Sequence, residues 1–131
     1  MTPAHAFEPI DAVSFLVVDA GDSLWGVEIA HVVTVLDGLW AHDALDAAQL
    51  GAPGDPAFPP RVLELRSPAG DRALAVRGKL AVVTVARDEI QDLPALVTAR
   101  MARQAFSSVA IGDDHAPFLI LDVEAALRRT T

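Results

Sequence analysis

The sequence predicts a mainly β domain built from two similar small barrels or sheets packed against each other. Two observations carry this reading. The word Val-Val-Thr-Val occurs at Val32–Val35 and again at Val82–Val85; nine residues separate the first copy from Ala20-Gly21-Asp22, and ten separate the second from Ala69-Gly70-Asp71. The segments around each Ala-Gly-Asp also share one pattern: an apolar or alternating run, a tight turn, and a returning apolar run, which is how a β-hairpin reads. A valine-rich chain produces a shared word by accident more easily than it produces the paired spacing. Two copies are too few for a solenoid, which needs at least three stacked repeats.

The elements follow in order. Val13 to Val18 is apolar and β-branched and reads as a strand, with Leu24 to Val27 returning after the turn. Asp43 to Leu50 has the composition of two helical turns ended by Gly51. The stretch 51–60, Gly-Ala-Pro-Gly-Asp-Pro-Ala-Phe-Pro-Pro, is the joint between halves. Beyond it, Arg61 to Arg66 alternates, with Leu63 and Leu65 on a buried face and Val62, Glu64 and Arg66 on a wet one. Ser67 to Asp71 turns, and Arg72 to Val76 returns. Ala95 to Ala105 is helix-forming in composition. Phe106 to Ile111 and Pro117 to Leu121 form a last hairpin around Gly112-Asp113-Asp114-His115. Asp122 caps a terminal helix whose Arg128 and Arg129 suit the negative end of its dipole. The organisation expected is a flexible N-terminus over 1–12 and a single domain over 13–127. Within it lie a first subunit (13–50), a linker (51–60) and a second subunit (61–121), followed by the terminal helix (122–129).

The composition narrows the class of function. A chain of 131 residues is one domain, able to bury roughly two-thirds of its unfolded surface. It has no cysteine, which removes disulfides, thiolate metal sites and a cysteine nucleophile. A formal net charge of −8 argues against nucleic acid or an anionic membrane as partner. The apolar fraction of 52% is spread in short runs, none approaching the ~20 residues of a membrane span. The start, Met-Thr-Pro-Ala-His-Ala, has no basic segment followed by an apolar block. A soluble cytoplasmic protein without membrane insertion is the expectation.

Machinery for catalysis is not visible. His5, His31, His42 and His115 do not pair at metal-ligand spacing, and Asp113-Asp114-His115 reads as a turn before it reads as a metal site. His42-Asp43 reads as the polar start of a helix. The serines lack a G-x-S-x-G context, and no dinucleotide or phosphate-binding glycine motif occurs. We therefore expect no enzyme, no metal and no cofactor. What remains is apolar surface along the seam between two β units and at their strand edges, where such modules take up helices or strands of partners.

The run Phe15-Leu16-Val17-Val18-Asp19-Ala20-Gly21-Asp22-Ser23-Leu24-Trp25-Gly26-Val27-Glu28-Ile29-Ala30-His31-Val32 resembles the opening of the CheW family, F-L-V-F-x-L-G-x-x-x-Y-G-I-x-I-x-x-V. Arg61 to Val76 is similar to that family's second strand-turn-strand and Ile90 to Pro94 to its I-x-x-x-P. Phe118 to Asp122, with Ala126-Leu127, resembles its closing segment. The resemblance covers most of the chain from Val13 to Leu127. It implies two interlocked SH3-like five-stranded β-barrels. It also implies a non-catalytic adaptor of bacterial chemosensory arrays, linking the cytoplasmic tip of a methyl-accepting chemoreceptor to a histidine kinase. In the family the receptor's helical hairpin lies in the groove between barrels. The resemblance places that groove at Val32, with Val27 and Ile29 as further wall residues and the second-unit counterpart at Leu80 or Val83.

The departures from the family pattern carry their own expectation. After Val35 the chain runs through Leu36-Asp37-Gly38-Leu39-Trp40 almost directly into Ala44 to Gly51. The family's two further strands, with their N-L-R-G, are absent, and its glutamate in V-x-E-I is Thr34 here. Those parts lie on the barrel that docks the kinase. The expectation is a shortened adaptor with an incomplete first barrel and an altered kinase-side surface at Thr34, Leu39 and Trp40. Such an adaptor keeps its receptor groove and has lost or changed its coupling to the kinase's regulatory domain or to another CheW-like protein. The alternatives are a full receptor–kinase coupling adaptor or, in a different class, a small β-barrel ligand-binding protein or enzyme.

Overall fold

The computed structural model describes residues 11–38, 44–68, 70–94 and 106–128. The chain is mainly β, as expected, and its strands form two sheets. In chain order they are β1 (Ala12–Asp19), β2 (Leu24–Glu28), β3 (Val32–Leu36), β4 (Leu45–Asp46), β5 (Arg61–Leu65), β6 (Arg72–Val76), β7 (Lys79–Ala86), β8 (Ile90–Asp92), β9 (Phe106–Ala110) and β10 (Phe118–Leu121). A single α-helix among the described residues, α1 (Val123–Arg128), follows. The six-stranded sheet has the order β7-β1-β2-β10-β9-β8, and the four-stranded sheet β3-β5-β6-β4.

The two halves of the sequence are interleaved. Each begins with the expected antiparallel hairpin, β1–β2 in the first and β5–β6 in the second. Each third strand then crosses to the other hairpin: β7 pairs with β1, and β3 with β5. A fourth strand, β10 or β4, returns parallel to β2 or β6. The 51–60 linker thus separates the two sequence copies but not the two sheets.

The registers make the internal symmetry explicit. Leu80, Val18, Trp25 and Leu119 line up across four strands of one sheet. Val35, Leu63, Leu74 and Leu45 line up in the same way across the other. Both rows feed one core, in which Val18, Trp25, Leu63 and Leu74 are buried and the four outer members pack against them. A second core, on the other face of the six-stranded sheet, comprises Val13, Phe15, Val17, Val85, Ala110, Phe118 and Ile120. There Phe15 and Phe118 meet edge to face at 5.4 Å.

The two Val-Val-Thr-Val words occupy equivalent strands but not equivalent positions, since the structural counterpart of Val35 is Leu80 rather than Val85. The two crossings differ in length. The first uses a 3-10 turn, Ile29–His31, between β2 and β3. The second passes directly through Arg77-Gly78, where Gly78 has φ 155°. A Cβ on Gly78 would run into the carbonyl oxygen of Asp19 and sit 2.9 Å from Val18 Cγ1, so only glycine lets the strand cross this closely.

Some local expectations change. Residues 45–50 are not two α-helical turns. Leu45 and Asp46 extend β6 in parallel, and only Ala47–Leu50 turn, as a 3-10 segment. The unpaired edge of β6 and the core position of Leu45 outweigh helical composition. The Asp46 carboxylate accepts from Ala48 N–H at 3.0 Å and Gly51 ends the turn at φ 79°. Val62, read as wet, is fully buried, on β5 between Leu36 and Ala75. The terminal helix begins as expected, with Asp122 Oδ1 accepting from Ala125 N–H at 3.1 Å. The helix expected over 95–105 and the N-terminal residues 1–10 lie outside the described residues.

The proline-rich joint is tied down. Trp25 donates its indole N–H to the Pro53 carbonyl at 2.8 Å. Asp55 N–H donates to Arg77 O at 3.0 Å, and Arg77 Nη1 donates to Phe58 O at 3.0 Å. The linker therefore clamps the second crossing and closes over the indole, which holds the two sheets in fixed relation.

Candidate functional site

Alternation along β7 sends Leu80, Val82 and Thr84 to the face shared with Val18, Leu16 and Ser14 of β1. The Ser14 and Thr84 hydroxyls hydrogen-bond at 2.8 Å, as partners on one face should. Exposure rises in steps along this face. The Leu80–Val18–Trp25 row lies against the shared core. In the next row Leu16 and Val27 are buried while Val82 is 63% exposed. The Ser14–Thr84 row is polar. Apolar surface emerges where the face runs out from the core.

The first crossing leaves the sheet from the same end. Ile29, in the 3-10 turn after β2, is 37% exposed. Val32 begins β3 and packs half-buried against the shared core. The ladder shifts between Val32↔Leu65 and Thr34↔Glu64, making Val33 the extra residue of a bulge, 40% exposed. Three of the five large exposed apolar side chains among the described residues, Ile29, Val33 and Val82, thus belong to the two exchanged strands and the turn feeding them.

This places the sequence-based candidates. Val32 and Leu80 pack half-buried against the shared core, and Ile29 is exposed in the turn leading into β3. Val27 is fully buried, its side chain committed to the core. Val83 points to the opposite face of β7 from Leu80, packs against the Phe15–Phe118 core and lines a small cavity of about 210 Å³ with Lys79 and His115. Neighbours on opposite faces of a strand do not line one groove, so Leu80 and Val83 are not interchangeable. Nor is Leu80 the partner of Val32 under the internal symmetry, which pairs it with Val35. Thr34 is exposed on β3, and Leu39 and Trp40 lie outside the described residues. Sequence reasoning missed Val82 and Val33. Val82 sits in the unbroken run Leu80-Ala81-Val82-Val83, where alternation leaves no trace.

The symmetry also shows that the margin is one-sided. Leu16, beside Val27 and Val82, corresponds to Arg61, beside Val76. One position beyond Leu36 on the four-stranded sheet, the counterpart of Val82 is Asp37. An apolar pair on one sheet is a charged pair on the other.

A cavity of about 440 Å³ opens at the end of the six-stranded sheet between Glu28, His31, Arg87, Ser107, Ser108 and Asp122. Most of its polar groups are already engaged in holding the fold. Asp122 caps α1, Ser107 and Ser108 hydroxyls bond each other at 3.2 Å, and His31 Nδ1 lies 3.3 Å from Arg66 O. Among the described residues no three His, Asp or Glu side chains group at metal-binding distance. No described helix is long and apolar enough to cross a membrane.

The chain matches no protein-family model and no curated protein sequence. Among solved structures its fold is similar to that of the scaffolding protein TtCheW from Thermoanaerobacter tengcongensis. The TM-score is 0.66 at 16% identity, covering 91% of this chain and 89% of that one. The fold is CheW-like.

Proposed function

We propose that the protein is a non-catalytic scaffold of a bacterial chemosensory system. It works in the cytoplasm and holds the helical tip of a chemoreceptor against the apolar margin of Ile29, Val32, Leu80 and Val82. One observation carries this reading. Over nine-tenths of its length the chain has a fold similar to that of the scaffolding protein TtCheW, and Ile29, Val33 and Val82 stand exposed on the exchanged strands and the turn feeding them. A helix with apolar anchors at i, i+3 and i+4 is the partner such a margin fits.

Coupling to the histidine kinase is altered in the same proposal. Between β7 and β10 the six-stranded sheet accommodates β8 and β9, whereas only Asp37 to Ala44 separate β3 from β4. Among the described residues the four-stranded unit has no such pair of strands, which supports an altered kinase-side surface. The test is two separate titrations, one with a chemoreceptor cytoplasmic fragment and one with a kinase regulatory domain. Saturable binding of the first and none of the second is expected. Binding of the kinase domain alone would overturn the proposal, and binding of both would restore the full coupling adaptor.

A further inference from the structure

The turn joining β9 to β10, residues 111–117, is pinned to the 3-10 turn Arg87–Glu89 that follows β7. Ile111 N–H donates to Glu89 O at 2.9 Å. The Glu89 carboxylate reaches back to its own turn, where Oε1 accepts from Ala86 N–H at 3.0 Å. It also lies against Gly112, where a Cβ would run into it. His115 closes the arrangement from the far end of the 111–117 turn. Its side chain is 9% exposed, and its ring tilts against Phe118 at 5.5 Å. Nδ1 lies 2.9 Å from the Ala116 carbonyl oxygen. A carbonyl only accepts, so Nδ1 carries the proton, and Nε2 of the neutral ring is left with a lone pair. That Nε2 is buried, has no hydrogen-bond partner, and faces Glu89 Oε1 at 3.6 Å.

Two acceptors facing each other at this separation call for a cation between them. A buried ring nitrogen without a partner is an exception that needs a physical reason. An imidazole oriented through Nδ1–H to a backbone carbonyl is also how metal-ligating histidines are held. Two donors each about 2.0–2.1 Å from one zinc ion, at the tetrahedral angle, stand roughly 3.3 Å apart, close to the separation found. We propose that His115 Nε2 and Glu89 Oε1 form a two-ligand site for a zinc-class divalent cation. Imidazole suits zinc, copper or nickel, whereas magnesium and calcium prefer oxygen ligands alone. The Glu89 side chain is 27% exposed, so water can complete the coordination, and exposed Asp88, Asp113 and Asp114 keep the surroundings acidic. With two protein ligands the metal binds reversibly, tying the turn after β7 to the turn between β9 and β10. The ligands come from separate elements, so no sequence motif announces them. This inference stands independently of the receptor proposal.

Isothermal titration of zinc chloride into the intact, metal-free protein at neutral pH tests it. One zinc per chain is expected, with a Kd in the micromolar range and no competition from a large excess of magnesium. His115→Gln and Glu89→Gln should each weaken binding at least about tenfold, the second while keeping an acceptor for Ala86 N–H. His31→Gln, at a histidine outside the pair, should bind as wild type does. Circular dichroism with thermal melting establishes that each variant is folded. Zinc-edge X-ray absorption on the wild-type complex needs no variant, and should show imidazole nitrogen among oxygen neighbours. Wild type that takes up no zinc at millimolar concentrations overturns the proposal and leaves His115 and Glu89 as a direct pair. Undiminished binding by folded His115→Gln, displacement of zinc by magnesium, or a zinc shell without imidazole also overturns it.

Discussion

The indole of Trp25 donates to the carbonyl of Pro53, across from one sheet to the linker that joins the sequence copies. The ring itself is fully buried and stacks edge to face with Phe106 at 6.3 Å. Trp25→Phe would shrink a core side chain and leave a carbonyl without its donor. A loss of about 1–3 kcal/mol is expected, read as a lower denaturant midpoint with an unchanged slope.

Gly78 is the other pin of the architecture. In Gly78→Ala the new methyl group meets Asp19 backbone and Val18 on a strand that has no room to retreat. Destabilisation of more than about 2 kcal/mol is expected. Gly70→Ala is the contrasting case: its φ of 121° is strained for alanine, but nothing lies within 4 Å of the added carbon. Thermal melting should place Gly78→Ala well below Gly70→Ala.

Asp122 starts α1 by accepting from Ala125 N–H. Asp122→Ala removes that acceptor and should cost about 1 kcal/mol, a fall of roughly 3–6 °C in melting temperature. Asp122→Asn, which retains an oxygen at the same place, should recover most of it.

The hairpins, the Asp122 cap and the closing β9–β10 pair are legible in the sequence because each depends on neighbours a few residues away. The exchange of third strands is not. The side chains of Val32 to Val35 would serve equally well beside β1 or beside β5, and the choice rests on Gly78 having no side chain and on the linker's hold on Arg77. The repeated valine word points correctly to duplication but to the wrong residue correspondence, since the two crossings differ in length. The site shows the same division. Ile29 and Val32 come from the resemblance to the CheW family, and the structure leaves Ile29 exposed and Val32 half-buried. The burial of Val27 and the exposure of Val82 depend on how far the second sheet overlaps the first, and no local pattern records that.

The one-sided margin separates contact from core. Val82→Glu and Ile29→Glu replace exposed side chains and should leave stability within about 0.5 kcal/mol of wild type. Val27→Glu puts an unpaired charge into the shared core and should prevent folding. Circular dichroism with thermal melting distinguishes the three.

The central claim is tested most directly by isothermal titration of a chemoreceptor cytoplasmic fragment into the wild-type protein, Ile29→Glu and Arg61→Glu. Wild type and Arg61→Glu should bind alike, because Arg61 lies on the charged counterpart of the margin, while Ile29→Glu should weaken binding at least tenfold with its fold intact. Equal binding by all three proteins, or loss on Arg61→Glu alone, would contradict a receptor seated on the apolar margin.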